Sequence, residues 1–426
     1  MTNETPVDNS VSQSLDGRSP ATPVNGSVSA ANGSATGQPW TGLPRMRALG
    51  DVDPAAQQTV IDLLDRAMRT MPRMRSGPGG PFAFTLRGQG AFPAGTSVRY
   101  AAIVALGALH LPEDQQREVL AGDTVHELVG TLVSRLRDAG PTALTSLGDV
   151  ALICWAAAET GHPGLRTAVD RLARADHDGG VHTVDAAWVV SALAAVREAG
   201  GGPGAEDHLE RARLRLLQGL SEKELYAHTV GGTSGAGGKK LVPGYRAHVG
   251  CFADQVYPIQ ALARLGDDQA VAAAEAVAER ICAAQGEDGQ WWWHYDARTG
   301  GVVEGYPVYS VHQHAMAPMA LLDLADAGGK NHLDSIARGV RWLTGPPETG
   351  QSLLPADAPV MTWRKVARKD PRKAVRGVRA ATTRLRSGWR IGSLDRVFPP
   401  VTVDRECRPY ELGWLLHTWL VPTTRE

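Results

Sequence analysis

Six side chains that can move protons or hold hydroxyl groups stand at the heads of segments that are otherwise apolar: Asp149, Asp185, Asp254, His312, His314 and Glu411. Arg99, Tyr100, Trp188, Gln255, Tyr257, Tyr309, Gln313 and Tyr410 share those openings. Carboxylates and imidazoles beside aromatic rings are what hydrolysis, elimination or epimerisation of a pyranose needs, one group giving a proton and another taking one. Asp254 is the first choice for the reactive carboxylate, because Cys251, Phe252 and Tyr257 flank it with apolar bulk, an environment expected to raise a carboxyl group's pKa. His312 is its expected partner, with Asp185 and Glu411 orienting hydroxyls. Tyr100, Asp149, Tyr257, Tyr309, Tyr410, Gln313 and His314 complete the expected binding surface. The competing structural reading is helix capping, since an aspartate in a first turn satisfies free amides and complements the helix dipole. His312 and His314 are two apart, which on a helix turns their rings about 200° from each other. They cannot chelate one ion, so one faces the cavity and the other packs between helices; no metal or cofactor is expected.

These residues can meet only if the segments they open converge. From about residue 54 two kinds of helical segment alternate. Segments 54–71, 124–139, 164–175, 206–220, 270–285 and 332–343 are amphipathic, with one charged face. Segments 98–109, 147–158, 184–196, 252–265, 311–322 and 410–420 are apolar nearly all round and rich in Ala and Gly, the mark of helices enclosed on every side. Strict alternation predicts six hairpins whose enclosed helices form an inner ring, an all-α (α/α)6 toroid with every inner helix starting at one mouth. A helical solenoid is the competitor, and it requires both helices of each pair to be amphipathic. Residues 1–45, rich in Ser, Asn, Thr, Gly and Pro, read as a disordered tail; 46–426 form the toroid domain.

The connection 285–310 holds Trp291, Trp292, Trp293, His294, Tyr295 and Tyr306, too many large aromatics for an exposed loop. They either wedge between helix ends or form a stacking wall for a ligand. Gln285, Gly289 and Trp291 resemble the QW motif of squalene cyclases and protein prenyltransferases, and Asp178 to Leu193 resembles their DGG-turn-helix repeat. The alternating body is equally similar to the six-hairpin glycosidase-like superfamily of hydrolases, lyases and sugar epimerases. The first resemblance implies isoprenoid diphosphate chemistry, the second sugar chemistry. The chain departs from the former: it has no DxDD stretch, only a DVD at Asp51 to Asp53, and Cys251 and Asp254 do not follow the prenyltransferases' Asp-x-Cys zinc order. A carbohydrate-active enzyme is therefore the leading expectation, then a terpenoid cyclase or prenyltransferase-like enzyme, then a non-catalytic binding module of a polysaccharide or secondary-metabolite pathway.

Lys+Arg 44 against Asp+Glu 45 leaves a net charge of -1, which excludes a global field drawing the chain to nucleic acid. Recognition of charge must be local, and Arg364 to Arg390, with many cations and the single acid Asp370, is where an anionic ligand or a membrane surface is expected. Trp363, Leu385, Trp389 and Ile391 supply its apolar edge; a solvated helical face is the plainer reading. The Gly-rich stretch 226–250 lacks the P-loop order, with Thr233 and Lys240 where Gly and Ser or Thr belong. It reads as a lid over the cavity or as a surface loop. Four scattered cysteines form no CxxC pair, and no apolar run is long enough to span a bilayer. A cytoplasmic location, peripheral to a membrane if the basic segment docks there, is the expectation.

Overall fold

The computed structural model describes residues 40–421; the tail read over 1–45 lies outside them as far as residue 39. Sixteen α-helices follow among the described residues. They are α1 Pro44–Val52, α2 Pro54–Thr70, α3 Val98–Ala108, α4 Glu113–Val119, α5 Val125–Arg135, α6 Leu147–Glu159, α7 Leu165–Ala175 and α8 Thr183–Glu198. Then come α9 Pro203–Gly219, α10 Ala253–Leu265, α11 Asp268–Ala283, α12 Ala317–Asp326, α13 Leu333–Trp342, α14 Ala374–Leu385, α15 Ser393–Val397 and α16 Pro409–Leu420.

All twelve alternating segments form helices, their ends moved by a few residues. The apolar set α3, α6, α8, α10, α12 and α16 is buried almost throughout and makes the inner ring. Neighbours pack in order, α3 on α6, α6 on α8, α8 on α10 and α10 on α12, and α16 touches both α12 and α3. That last pair of contacts closes the circle, which an open solenoid lacks. Each amphipathic helix leans on the inner helix before it: α5 on α3, α7 on α6, α9 on α8, α11 on α10, while α2 lies on α16 across the closure. At the α3–α16 seam two glycines face each other. A Cβ at Gly107 would stand 2.1 Å from the Gly413 carbonyl oxygen, so the two backbones approach where no side chain fits.

The folded body starts earlier than residue 46. Trp40 is buried and its indole N–H donates to Asp65 at 3.0 Å, while Arg45 on α1 reaches Asp323 and Asp326, both at 2.6 Å. The DVD triplet is structural at its last residue, since Asp53 accepts from the amides of Ala55 and Ala56 and caps α2.

Short strands decorate one end only. β1 Ala83–Arg87 pairs with β2 Phe92–Thr96, and β3 Val181–His182 with β4 Thr229–Val230. A three-stranded sheet joins β5 Val249–Cys251, β6 His294–Asp296 and β7 Val302–Glu304; another joins β8 Val308–Tyr309, β9 Lys365–Ala367 and β10 Thr402–Asp404. β11 Glu406–Cys407 returns to β1. All lie in outer-to-inner connections, so they build up the end at which the inner helices begin.

One inner helix departs from α geometry. His312–Met316 forms a π-helical turn ahead of α12. Pro318 has no N–H to offer the carbonyl four residues back; the His314 carbonyl instead accepts the Trp419 indole N–H at 2.9 Å.

Candidate active site

The inner-helix openings form one continuous circuit of contacts. Tyr410 stacks on Tyr100 at 4.7 Å; beside Tyr100, Arg99 pairs with Asp149 at 2.6 Å and lies over the Trp188 ring at 5.3 Å. Trp188 meets Tyr257 at 5.0 Å, one turn from Asp254. Phe252 packs on His312 at 4.5 Å, and His312 on Tyr309 at 5.0 Å. Arg364 lies over Tyr309 at 4.8 Å and bonds Glu411 at 3.3 Å, which returns to Tyr410. Residues drawn from six helices thus surround a common mouth.

Asp254 is wholly buried and held by two donors on one oxygen. The Cys251 amide and His228 Nδ1 each donate to Oδ2 at 2.6 Å, while Oδ1 has no hydrogen-bond partner among the described residues. His228 Nε2 accepts in turn from the Arg246 guanidinium at 3.0 Å. The partner of Asp254 is therefore His228 and not the expected His312, whose ring is instead parallel to Trp293 at 5.8 Å. His312 opens the π-helical turn and packs in the aromatic cluster; burial holds it down to about 3, with Arg364 adding to the effect, so it is a neutral imidazole. His228, missed by the sequence reading, sits in 226–250, a stretch without periodicity. The start of that stretch is pinned rather than loose: Tyr226 exchanges two hydrogen bonds with the Gln255 side chain, at 2.8 and 2.9 Å.

Ligand atoms of His228, Cys251 and Asp254 lie within 4.8 Å of one another, a set that would suit zinc. The hydrogen-bond pattern fits a relay better. Both imidazole nitrogens are engaged, one donating to a carboxylate and the other accepting from a guanidinium, and a metal would need one of those lone pairs and displace Arg246.

Asp185 differs from Asp254 in its support. Burial raises its pKa; Arg99 and His182 pull the other way, and the charges of Asp149 and Asp254 add to the rise. Its Oδ1 also lacks a partner among the described residues, and a Cβ at Gly148 would sit 2.3 Å from that oxygen. Asp149 is committed to Arg99, which also bonds the Ser146 hydroxyl at 2.8 Å, so it orients a cation rather than facing the mouth alone.

Glu411 is pushed up to about 7, burial outweighing the pull of Arg364 and Arg408. In the native state it keeps its proton up to about 7, against an ordinary value of 4.5. The native state binds more protons between those values, so the stability it contributes is complete below the lower one and is lost as pH rises through the upper. Glu411→Gln is expected to flatten that decline by on the order of 2–3 kcal/mol between about pH 5 and about pH 8, measured as urea unfolding free energies of both proteins.

The three tryptophans do not form one wall. Trp291 is a buried wedge against Phe252 at 5.6 Å; Trp292 turns to Tyr306 at 5.8 Å; Trp293 alone joins Tyr309, at 4.8 Å. His294 is buried beside Trp293 with neither ring nitrogen partnered among the described residues, and burial holds it neutral. Gln313 bonds the Trp291 amide at 3.4 Å and the Tyr309 carbonyl at 3.2 Å, and His314 is enclosed and neutral, so both serve packing.

The basic segment folds over this end. β9 pairs with β8, setting Lys365 opposite Tyr309, and α14 packs on β7 and on the turn carrying Arg246. Much of its charge turns inward: Arg368 and Arg379 both bond Glu304 and Asp395. A cavity of about 470 Å³ remains, lined by Tyr306, Pro307 and Tyr309, by the cations Lys365, Arg368, Lys373, Arg376 and Arg405, and by the carboxylates of Glu304, Asp370 and Asp404. Lys373 is lowered to about 8 by burial, with Arg376 and Arg408 adding to the effect. Of the expected apolar edge, Leu385 and Trp389 are exposed, whereas Trp363 is buried in the core. No helix among the described residues is long and apolar enough to cross a membrane.

No protein-family model and no curated protein matches the chain. Solved structures do. Unsaturated glucuronyl hydrolase from Bacillus sp. GL1 superposes with a TM-score of 0.50 at 14% identity, over 86% of this chain and 96% of that one. Cellobiose 2-epimerase from Bacillus thermoamylovorans gives 0.54 at 8%, over 86% and 99%. An unsaturated glucuronyl hydrolase specific for heparin gives 0.52 at 12%, over 87% and 96%. The chain has the fold of the six-hairpin glycosidase-like toroids.

Proposed function

We propose that this protein is a carbohydrate-active enzyme that holds a sugar or oligosaccharide at the mouth of the inner ring and transforms it by acid–base chemistry. The observation that carries the reading is the pair Asp185 and Asp254, on neighbouring inner helices, each buried with one unpartnered oxygen but differently supported. Two carboxyl groups set in different surroundings divide the roles of acid and base. Asp185, raised by burial, is the proton donor. Asp254, with Oδ2 held by His228 and the Cys251 amide, presents Oδ1 as the acceptor. Tyr309 and Trp293 supply the stacking faces, Glu411 and Arg364 orient hydroxyls, and the excess of cations over carboxylates in the cavity lining favours a sugar bearing an anionic group. Asp254 is closed from solvent, so entry of substrate requires the basic segment to lift. That the solved structures this chain resembles include an unsaturated glucuronyl hydrolase and a cellobiose 2-epimerase supports the class.

The test is a panel of neutral and acidic disaccharides and glycosides, followed by NMR in heavy water to detect bond cleavage or deuterium wash-in. Turnover by the wild type that falls by about 10²–10⁴ in Asp185→Asn supports the proposal; undiminished turnover in that variant ends it.

A further inference from the structure

The opposite end of the ring, where all six inner helices finish, holds a second cavity of about 530 Å³ that the chemistry above does not use. Its walls come from every inner helix, and parallel helices ending together set their unpaired carbonyls, and the negative ends of their dipoles, around one space. Four carboxylates line it against two guanidiniums: Arg45 pairs with Asp323 and Asp326, Arg264 with Glu159 and Glu198. His110, also in the wall, is held down to about 4 by burial, with His417 adding to the effect, and brings no compensating charge at neutral pH.

Gln260 is a separate observation. It is 3% exposed and lines this cavity. Its amide orientation is fixed because Nε2 must face the Asp323 carboxylate, to which it donates at 3.2 Å; Oε1 is left without a partner among the described residues. His417 Nδ1, in the same wall, is likewise unpartnered. A buried acceptor in a negative field calls for a donor that carries positive charge. Size and lining choose between kinds of cation. A hard metal ion wants a small cage of oxygens, whereas this space is wide and partly walled by Leu106, Leu109, Ala263 and Trp155, which suits methylene groups.

We propose that this basal cavity binds an organic amine, an alkyl di- or polyammonium whose nitrogens meet Gln260 and the Glu159, Glu198, Asp323 and Asp326 carboxylates while its methylenes lie on the apolar wall. The site is independent of the sugar chemistry at the mouth. The test is calorimetric titration of the full chain with spermidine and with 1,4-diaminobutane, against magnesium chloride at matched ionic strength. Saturable binding of the amines, weakened about tenfold or more in both Gln260→Leu and Glu198→Gln and retained in Asp254→Asn, is the expected result. Glu198 is half-exposed, with 52% of its side chain accessible, so its variant keeps the test decisive if the buried substitution unfolds the protein. Absence of saturable heat at millimolar amine, equal binding of magnesium, or unchanged affinity in Glu198→Gln overturns the proposal.

Discussion

Asp254→Asn is expected to lower kcat by about 10²–10⁴ with the fold intact. The amide can still accept the Cys251 N–H and keep its place under α10, but it cannot take a proton at Oδ1. His228→Ala should cost less, because the imidazole acts through Asp254: it orients the carboxylate and passes on the influence of Arg246. The two effects separate in rescue by a conservative variant: His228→Asn, whose side-chain amide still offers a donor to the carboxylate, should recover part of the activity lost in His228→Ala, whereas Asp254→Asn leaves no proton acceptor at that place. An Asp254→Asn enzyme with wild-type kcat on a substrate identified by the panel would falsify its role as base.

The second large effect lies at the seam of the ring. Gly107→Val places a Cβ against the Gly413 carbonyl, and a Cβ at Gly413 would itself stand 2.9 Å from the Ile103 carbonyl. Both obstacles are helix backbone, which yields only if α3 and α16 move apart and the inner ring opens. Overpacking of this kind costs about 3 kcal/mol or more, read as a drop in urea midpoint or as loss of folded protein. Gly377 on α14, where an added methyl group would meet nothing within 4 Å, is the control: Gly377→Ala should be neutral or stabilising by up to about 1 kcal/mol.

The architecture was legible because a ring imposes a pattern on every hairpin. An enclosed helix cannot tolerate charge along its body, so the apolar runs ending at Leu109, Val196 or Leu420 stood apart from charged partners such as α7 and α13. The convergence of the polar openings followed from that topology. What escaped the sequence lies in parts without period. The strands run two to five residues, too short for alternation to register. His228 lies in a Gly-rich connection, and only the pairing of β3 with β4 and of β5 with β6 brings it under α10. The turn at His312 needed the combined effect of Pro318 and the distant Trp419. Arg45 and α1 were hidden at the edge of a polar tail, since one buried arginine among exposed residues has no signature until Asp323 and Asp326 are seen across the ring.

The position of α16 sets the order in which this chain can mature. That helix is the keystone: it touches α3 and α12 and carries α2 on its back, yet it is made after the other five inner helices. Until it emerges from the ribosome, the preceding five inner helices form an arc with two bare apolar flanks, one on α3 and one on α12. Nascent chains stalled ahead of residue 409 should accordingly recruit chaperones and resist native purification, and the whole molecule should melt as one unit rather than hairpin by hairpin.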